Sequence, residues 1–341
     1  MLIKQKIRVL IVDDSLLFRE IIAKGISSDN EIEVVATAND PFDARDKIIK
    51  YKPDVMTCDI EMPKMNGVEF IKRLLPQYPI PVIIVSMVDE AVFDAVNAGA
   101  VDFVSKPDPR LVRDVESFIY EMITKVKIAS LSKVILQSSQ PAHINSYSPD
   151  NINKNRLIAI GASTGGTEAI YRLLKKLPED MPGIVIVQHI PPVFSRMFAE
   201  RLNDTTAFEV KEACTGDYLD KGKVLIAPGD QHMRIRKIGD RYKVECFNGE
   251  RVNGHCPSVD VLFDSVAKMA GSNAVGIILT GMGYDGAKGL LAMKRMGART
   301  IGQDEKSAIV YGMPKVAYNI GAVEQQASID DIPYLLLAML R

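Results

Sequence analysis

The apolar positions of the chain change period repeatedly, and that change sets its architecture. Short runs rich in β-branched residues occur at Arg8–Val12, Glu33–Ala36, Val55–Cys58, Val82–Val85 and Val101–Val104. Between and after them, apolar residues recur at helical spacing over Leu16–Ile26, Pro41–Tyr51, Val68–Leu75, Asp89–Ala98 and Arg110–Val126. Strands alternating with helices long enough to cross back predict a parallel sheet covered on both faces. Residues 1–126 are therefore expected to form an N-terminal (βα)5 domain. Residues 127–155 are rich in Ser, Asn, Gln and Pro, with one short apolar patch at Val134–Leu136. That stretch reads as an interdomain linker, and its His143 as a solvated residue.

The same grammar returns at Arg156. Strands are predicted at Leu157–Ile160, Gly183–Val187 and Ala274–Leu279, with helices at Glu168–Leu177, Phe194–Leu202, Val259–Ala270 and Asp285–Met296. Four further β-rich runs (Phe208–Glu212, Val224–Ala227, Met233–Ile238 and Tyr242–Cys246) suggest antiparallel strands inserted in the sheet. Residues 156–341 are thus expected to form a C-terminal doubly wound, mostly parallel α/β domain with an antiparallel insertion.

Composition narrows the class. With 341 residues, 47% of them hydrophobic, the chain can build two cores. No apolar run approaches the ~20 residues of a membrane helix, and MLIKQKIRVLIVDDS is a poor signal peptide. The four cysteines show no CxxC pair or zinc-like spacing, as expected of reduced thiols in a cytoplasmic protein. A net charge of −1 argues against blanket phosphate neutralisation, so no nucleic-acid partner and no direct membrane insertion are expected. The balance hides a split: −6 over residues 1–124, +3 over 125–155 and +2 over the remainder.

In a parallel α/β sheet, ligands bind at the carboxyl ends of the strands. Asp13 and Asp14 close the first strand and Asp59 the third, while Ser86 and Lys106 follow the fourth and fifth. Three converging carboxylates repel one another unless a hard cation such as Mg²⁺ neutralises them. A carboxylate beside such an ion, an ammonium and a hydroxyl has the parts of a phosphoryl-accepting site. Any one of these acids alone reads more simply as a cap or turn residue; their joint placement carries the stronger reading.

VDDS (12–15), CDIEMPKMNG (58–67), VS (85–86) and SKP (105–107) together resemble the bacterial response-regulator receiver domain. The resemblance implies that Asp59 accepts phosphate from a histidine kinase, with Asp13, Asp14 and Asp59 around Mg²⁺. It further implies that Ser86, Phe103 and Lys106 form the switch that senses the phosphoryl group.

The second domain carries RLIAIGASTGGTEAI, with Gly161, Ser163 and Gly165 in G-x-S-x-G spacing between a strand and a helix. That context presents a serine on a sharp turn, with backbone N–H groups behind it for an oxyanion; a bare Gly-rich turn is the plainer alternative. A nucleophilic serine needs a base and an orienter for that base. His189 follows the apolar run Ile184–Val187, and Asp285 lies in a glycine-dense loop after Ala274–Leu279. His232, His143 and His255 are weaker candidates, and Asp285 could equally cap the next helix. The chain order Ser, His, Asp is not that of the α/β-hydrolases.

GASTGGTEA, QHIPP, IAPGDQHM, HCPSVDVLF and TGMGYDGA, behind a receiver and a polar linker, resemble the chemotaxis protein-glutamate methylesterase family. The resemblance implies hydrolysis of glutamate 5-methyl esters on methyl-accepting chemotaxis receptors, with deamidation of particular receptor glutamines, under control of a chemotaxis histidine kinase. It implies Ser163, His189 and Asp285 as the triad, backbone N–H of Thr164 and Met282 as oxyanion donors, and no cofactor in the esterase site. It also implies that the unphosphorylated receiver restrains the esterase. Tyr284 and Cys256 depart from the family's usual residues without touching the triad. Two other readings are weaker: a second domain that only binds a partner, and a DNA-binding regulator, for which no basic helix-turn-helix stretch exists.

Overall fold

The computed structural model describes residues 5–87, 90–132, 153 and 156–341. The chain divides into two compact units, Met1–Ser138 and Ser139–Arg341. Val134–Leu136, His143 and Asp89 lie outside the described residues.

The first unit holds strands β1 (Ile7–Val12), β2 (Ile32–Ala38), β3 (Val55–Cys58), β4 (Val82–Ser86) and β5 (Asp102–Ser105). Alternating with them are helices α1 (Leu16–Ile26), α2 (Pro41–Tyr51), α3 (Gly67–Leu74), α4 (Ala91–Asn97) and α5 (Val112–Ser130). The sheet runs β2-β1-β3-β4-β5, every pair parallel. All residues of β3 and β4 are buried, as strands covered on both faces must be. Helix starts follow local chemistry: Ser15, Asp40 and Asn66 accept backbone N–H bonds at the N-caps of α1, α2 and α3. The last helix outruns its expected end at Val126. Ala129 is buried and Lys127 pairs with Asp29 (2.7 Å) and Glu31 (2.9 Å), so tertiary anchoring carries the helix to Ser130, into the stretch read as linker.

The second unit holds β6 (Leu157–Ala162), α6 (Gly166–Lys175), β7 (Ile184–Gln188), α7 (Phe194–Thr205), β8 (Glu209–Glu212) and β9 (Lys223–Ile226). A hairpin of β10 (His232–Ile238) and β11 (Arg241–Phe247) follows, then α8 (Val259–Ala270), β12 (Ala274–Ile278), α9 (Ala287–Arg295) and β13 (Arg299–Gln303). The chain ends with α10 (Met313–Asn319), β14 (Gln325–Ala327) and α11 (Ile332–Met339), which with β13 make four elements beyond α9 that the sequence pattern did not isolate.

The seven-stranded sheet runs β14-β13-β12-β6-β7-β9-β8 and is parallel throughout. An antiparallel insertion is present, but not within the sheet. β8 and β9 extend the parallel sheet at its edge, while β10 and β11 form a separate two-stranded sheet, bridged on the β11 side by the Gly216–Leu219 segment through Tyr218 opposite Lys243. The hairpin seats on α8 instead: Met233, Ile235 and Val244 join Leu262, Phe263 and Val266 in one core, and the Ile235 N–H donates to Ser265 Oγ at 3.0 Å. Each such fully buried side chain contributes roughly 1.5–3 kcal/mol of transfer free energy, enough to fix a two-stranded ribbon that would be marginal alone. Strand order reverses between β6 and β12, and a crevice forms at such a switch point.

Candidate active site

Two strand-end rims collect ionisable groups, one in each unit. In the first unit, Asp13 and Asp59 are buried and Asp14 is exposed, with carboxylate oxygens of all three within 4.8 Å of one another. Lys106 Nζ lies 2.8 Å from Asp13 Oδ2 and 2.5 Å from Asp59 Oδ2. Burial, reinforced by the neighbouring Asp13 charge, pushes Asp59 up to about 6 even though Lys106 pulls it down. Asp13 is also raised, chiefly by burial. Burial likewise works against the Lys106 ammonium, but its bonds to Asp13 and Asp59 outweigh that and hold its pKa up. One ammonium shared by buried carboxylates leaves an excess of negative charge, and an all-oxygen donor set suits a hard divalent cation. Asp13, Asp14 and Asp59 therefore fit Mg²⁺.

Ser86 ends β4, buried, and its carbonyl accepts the Lys106 N–H at 2.8 Å. Phe103 is not at this rim's surface. Its ring is buried edge-on to Phe93, with centroids 5.9 Å apart, and Lys125 Nζ sits 5.2 Å from its centre.

In the second unit the rim lies across β7, β6 and β12, on both sides of the switch point. Ala162 and Gln188 are opposite one another in the parallel ladder, so Ser163 and His189, the next residue on each strand, emerge side by side. The Ser163 N–H donates to Thr280 O (3.0 Å) and the His189 N–H to Ala162 O (3.0 Å), tying three strand ends together. Gln188 is buried beneath them, its Nε2 donating to both Ser163 O (2.9 Å) and His189 O (3.1 Å). The turn after Ser163 needs Gly165 at φ +76°, where its absent Cβ also admits Ile309, before α6 begins at Gly166.

Asp285 lies beyond β12 and is almost wholly buried. His189 Nε2–H donates to its Oδ2 at 2.9 Å. The remaining capacity of the carboxylate is spent on the start of α8. Val259 N–H (2.7 Å) also reaches Oδ2, while Ser258 Oγ–H (2.8 Å), Asp260 N–H (3.2 Å) and Asn253 Nδ2 (2.8 Å) reach Oδ1. Asp285 thus does cap a helix, but α8 rather than the one that follows it. Burial alone would raise its pKa; the bond and charge of His189, with Asn253 and the Val259 amide, hold it far below the usual carboxylate range. An ionised Asp285 fixes the tautomer: Nε2 carries the proton and Nδ1 a lone pair. His189 Nδ1 is buried and has no hydrogen-bond partner among the described residues, so no bond yet joins it to Ser163. Catalytic hydrogen bonds are often long before substrate arrives.

His232 is accounted for structurally. Its Nε2–H donates to Glu250 O (2.9 Å) and its Nδ1 accepts the Ser258 N–H (3.2 Å), leaving no nitrogen for chemistry. His255 lies face to face with the His189 ring. Thr164 is buried before α6, and Met282 is partly exposed in the loop after β12. Thr280 Oγ1–H donates to Thr164 O (3.0 Å) and accepts the Val310 N–H (2.9 Å), while Gly281 O accepts from Met313 N–H (2.7 Å), so these two turns are braced. Tyr284 projects into solvent, and Cys256 is half-buried. The partners that sequence reading missed are Gln188, Asn253, Ser258 and Asp260. The Asn253–Gly254 pair is a hairpin-turn signal that could have marked one of them.

A family model described as CheB methylesterase matches residues 158–336, and one described as response regulator receiver domain matches residues 9–116. The protein-glutamate methylesterase/protein-glutamine glutaminase 2 of Syntrophomonas wolfei is 59% identical over 339 residues, covering 98% of each chain. The protein-glutamate methylesterase/protein-glutamine glutaminase of Salmonella typhimurium is 45% identical over 337 residues, covering 98% of this chain and 97% of its own. Among solved structures, the Thermotoga maritima CheB methylesterase catalytic domain is 34% identical with a TM-score of 0.53. The match covers 54% of this chain and 98% of that one.

Proposed function

We propose, from the premise that the chain belongs to the CheB methylesterase family and carries that family's receiver domain, that Ser163, His189 and Asp285 hydrolyse glutamate 5-methyl esters of chemotaxis receptors. The chain is a hydrolase of the protein-glutamate methylesterase/protein-glutamine glutaminase type. A second unit that merely binds a partner has no support. The observation that carries the residue assignment is the ionised Asp285 on His189 Nε2, leaving the other ring nitrogen unpartnered one strand away from Ser163.

In this reading Ser163 Oγ attacks the ester carbonyl while His189 Nδ1 takes its proton. Asp285 keeps the opposite nitrogen protonated and stabilises the imidazolium. The Thr164 and Met282 N–H groups receive the carbonyl oxygen as it becomes negative. Collapse of the tetrahedral intermediate expels methanol, protonated by His189, and leaves a glutamyl ester on Ser163. Water, activated by the same nitrogen, then releases the carboxylate. A receptor glutamine runs through the same steps with ammonia leaving.

Asp59 is the proposed phosphoryl acceptor, with a chemotaxis histidine kinase as donor. Asp13, Asp14 and Asp59 would hold Mg²⁺, which when bound neutralises charge on the incoming phosphoryl oxygens. Lys106 contributes a second cation there, and Ser86 and Phe103 complete the switch. Residues 1–126, continued to Ser130 by the end of α5, are proposed as the receiver, the rest of 127–155 as linker and 156–341 as the esterase. No helix among the described residues is long and apolar enough to cross a membrane, and a cytoplasmic site of action follows from the substrate assignment. The test is methanol release from methyl-esterified receptor membranes. Ser163→Ala is expected to abolish it, and near-normal release by that variant would defeat the assignment.

A further inference from the structure

The loop ahead of α8 makes a feature that the triad does not use. Val252 and His255 exchange backbone hydrogen bonds in both directions, each at 3.0 Å. The two residues between them, Asn253 (φ +53°) and Gly254 (φ +85°), occupy the left-handed region, as the Asn-Gly turn of a two-residue hairpin requires. This four-residue clip is anchored to the site, because Asn253 Nδ2 donates to both Asp285 Oδ1 and Asp260 Oδ2 at 2.8 Å. At its end the His255 ring lies on the His189 ring, with centroids 3.7 Å apart and planes 8° from parallel.

We propose that His255 is a positioning residue for the hydrolysis, a flat neutral plate clamped by the Val252–His255 turn against the face of His189. The inference rests on the assignment of His189 as the general base. His189 is held at only one edge: Asp285 fixes Nε2, while Nδ1 has no hydrogen-bond partner among the described residues. A single hydrogen bond leaves the ring free to rock about it, which swings Nδ1 away from the serine. A second ring stacked on the face removes that freedom without occupying the nitrogen the chemistry needs. A plate able to hydrogen-bond edge-on would compete with Ser163; a stacked one does not. Burial presses His255 down to about 4, helped by Arg251 and by His189 whenever that ring is protonated, with Asp285 opposing, so the plate carries no charge near neutrality. A neutral aromatic face also tolerates the positive charge that His189 acquires during each proton transfer.

The experiment uses the full chain with His255→Phe, His255→Leu and His255→Ala, measuring kcat and KM for methanol release and the proton NMR shifts of the His189 ring. His255→Phe preserves a flat neutral face and is expected to keep kcat within about threefold. His255→Leu and His255→Ala are expected to lower kcat by ~10–100-fold with KM little changed, a partial loss of the roughly 10²–10⁴-fold that a well-oriented general base contributes. The ring-current shift of the His189 protons should persist only in the Phe variant. Thermal unfolding identifies any variant that fails to fold, and the Phe–Leu comparison stands without the Ala variant. Leu and Ala variants that turn over at the wild-type rate overturn the proposal. So does an equal loss in folded Phe and Leu variants, which would show that flatness is not what matters. Ser163→Ala, run alongside, separates the two ideas: activity in that variant removes the triad reading itself, whatever His255 does.

Discussion

Replacing Asp285 by Asn changes one atom and separates the two tasks that the structure gives this side chain. Both oxygens accept only from donors: Oδ2 from His189 Nε2 and Val259 N, Oδ1 from Asn253 Nδ2, Ser258 Oγ and Asp260 N. An amide must place its NH₂ on one side. Placed at Oδ1, it confronts the Asp260 N–H and forces Asn253 to turn, breaking the bond from Asn253 to Asp260. Placed at Oδ2, it confronts only the Val259 N–H, and His189 adapts by moving its proton to Nδ1. The second placement is cheaper, and it is the one that disarms the base. One buried backbone donor left facing another costs ~1–3 kcal/mol. Losing a buried negative charge at the start of α8 adds up to about 2 kcal/mol, so a total of ~1–5 kcal/mol is expected. The wrong tautomer lowers turnover on the order of 10⁴-fold.

Urea unfolding and methanol release at pH 7 read the two effects independently. The pH dependence has a definite sign. The native pKa of Asp285 is depressed, so its stabilisation is complete above the unfolded value of ~3.9 and is lost as pH falls towards the native one. The stability gap between wild type and Asp285→Asn should therefore be constant near neutrality and close below about pH 4. A destabilised variant that retains more than a tenth of the activity would reduce Asp285 to a helix cap. Unchanged stability would refute the capping arithmetic.

Gly166→Ala places a Cβ 2.1 Å from Gln188 Oε1 and 2.7 Å from the Ala162 Cβ. The amide that spans Ser163 and His189 must then move, so a loss of ~1–3 kcal/mol in thermal unfolding is expected together with slower methanol release; a stable, fully active variant would show that Gln188 does not set the site. Lys106→Met strands Asp13 and Asp59 without their cation and should destabilise the first unit by ~3–5 kcal/mol. Millimolar Mg²⁺ should recover part of that in a melting experiment, and an unchanged melting temperature in its absence would contradict the pairing. Asp59→Asn is expected to abolish stimulation of esterase activity by a small-molecule phosphoryl donor while leaving the unstimulated rate in place; a variant that still responds would move the phosphoryl site elsewhere.

The periodic parts of the chain were legible because one physical cause dominated each of them. Leu16–Ile26, Pro41–Tyr51 and Val259–Ala270 form helices over the expected spans, since an apolar stripe and a local cap agree in all three. The hairpin β10–β11 was misplaced because alternation reveals a strand but not its neighbour, and the surface that holds it is a helix reached only in three dimensions. α5 was cut short because Lys127 looks like the start of a polar linker until Asp29 and Glu31 are brought beside it. The strand-end acids, serine and histidine were visible because a parallel sheet turns sequence position directly into position at the rim.

What no local pattern carried is the link between the rim and α8. The plainer alternative for Asp285 was to cap the helix next to it in sequence, the only cap a local reading can find. Instead it caps a helix that begins 26 residues earlier, at Val259. That long reach couples the fold to the chemistry. The amides that keep Asp285 ionised are unsatisfied donors of α8, which need an anion whether or not His189 is present. The helix therefore prepares the carboxylate before any substrate binds, and the carboxylate in turn sets the tautomer of the base. Asn253 extends the same arrangement to the clip that holds His255, so one buried charge orients both rings of the stack.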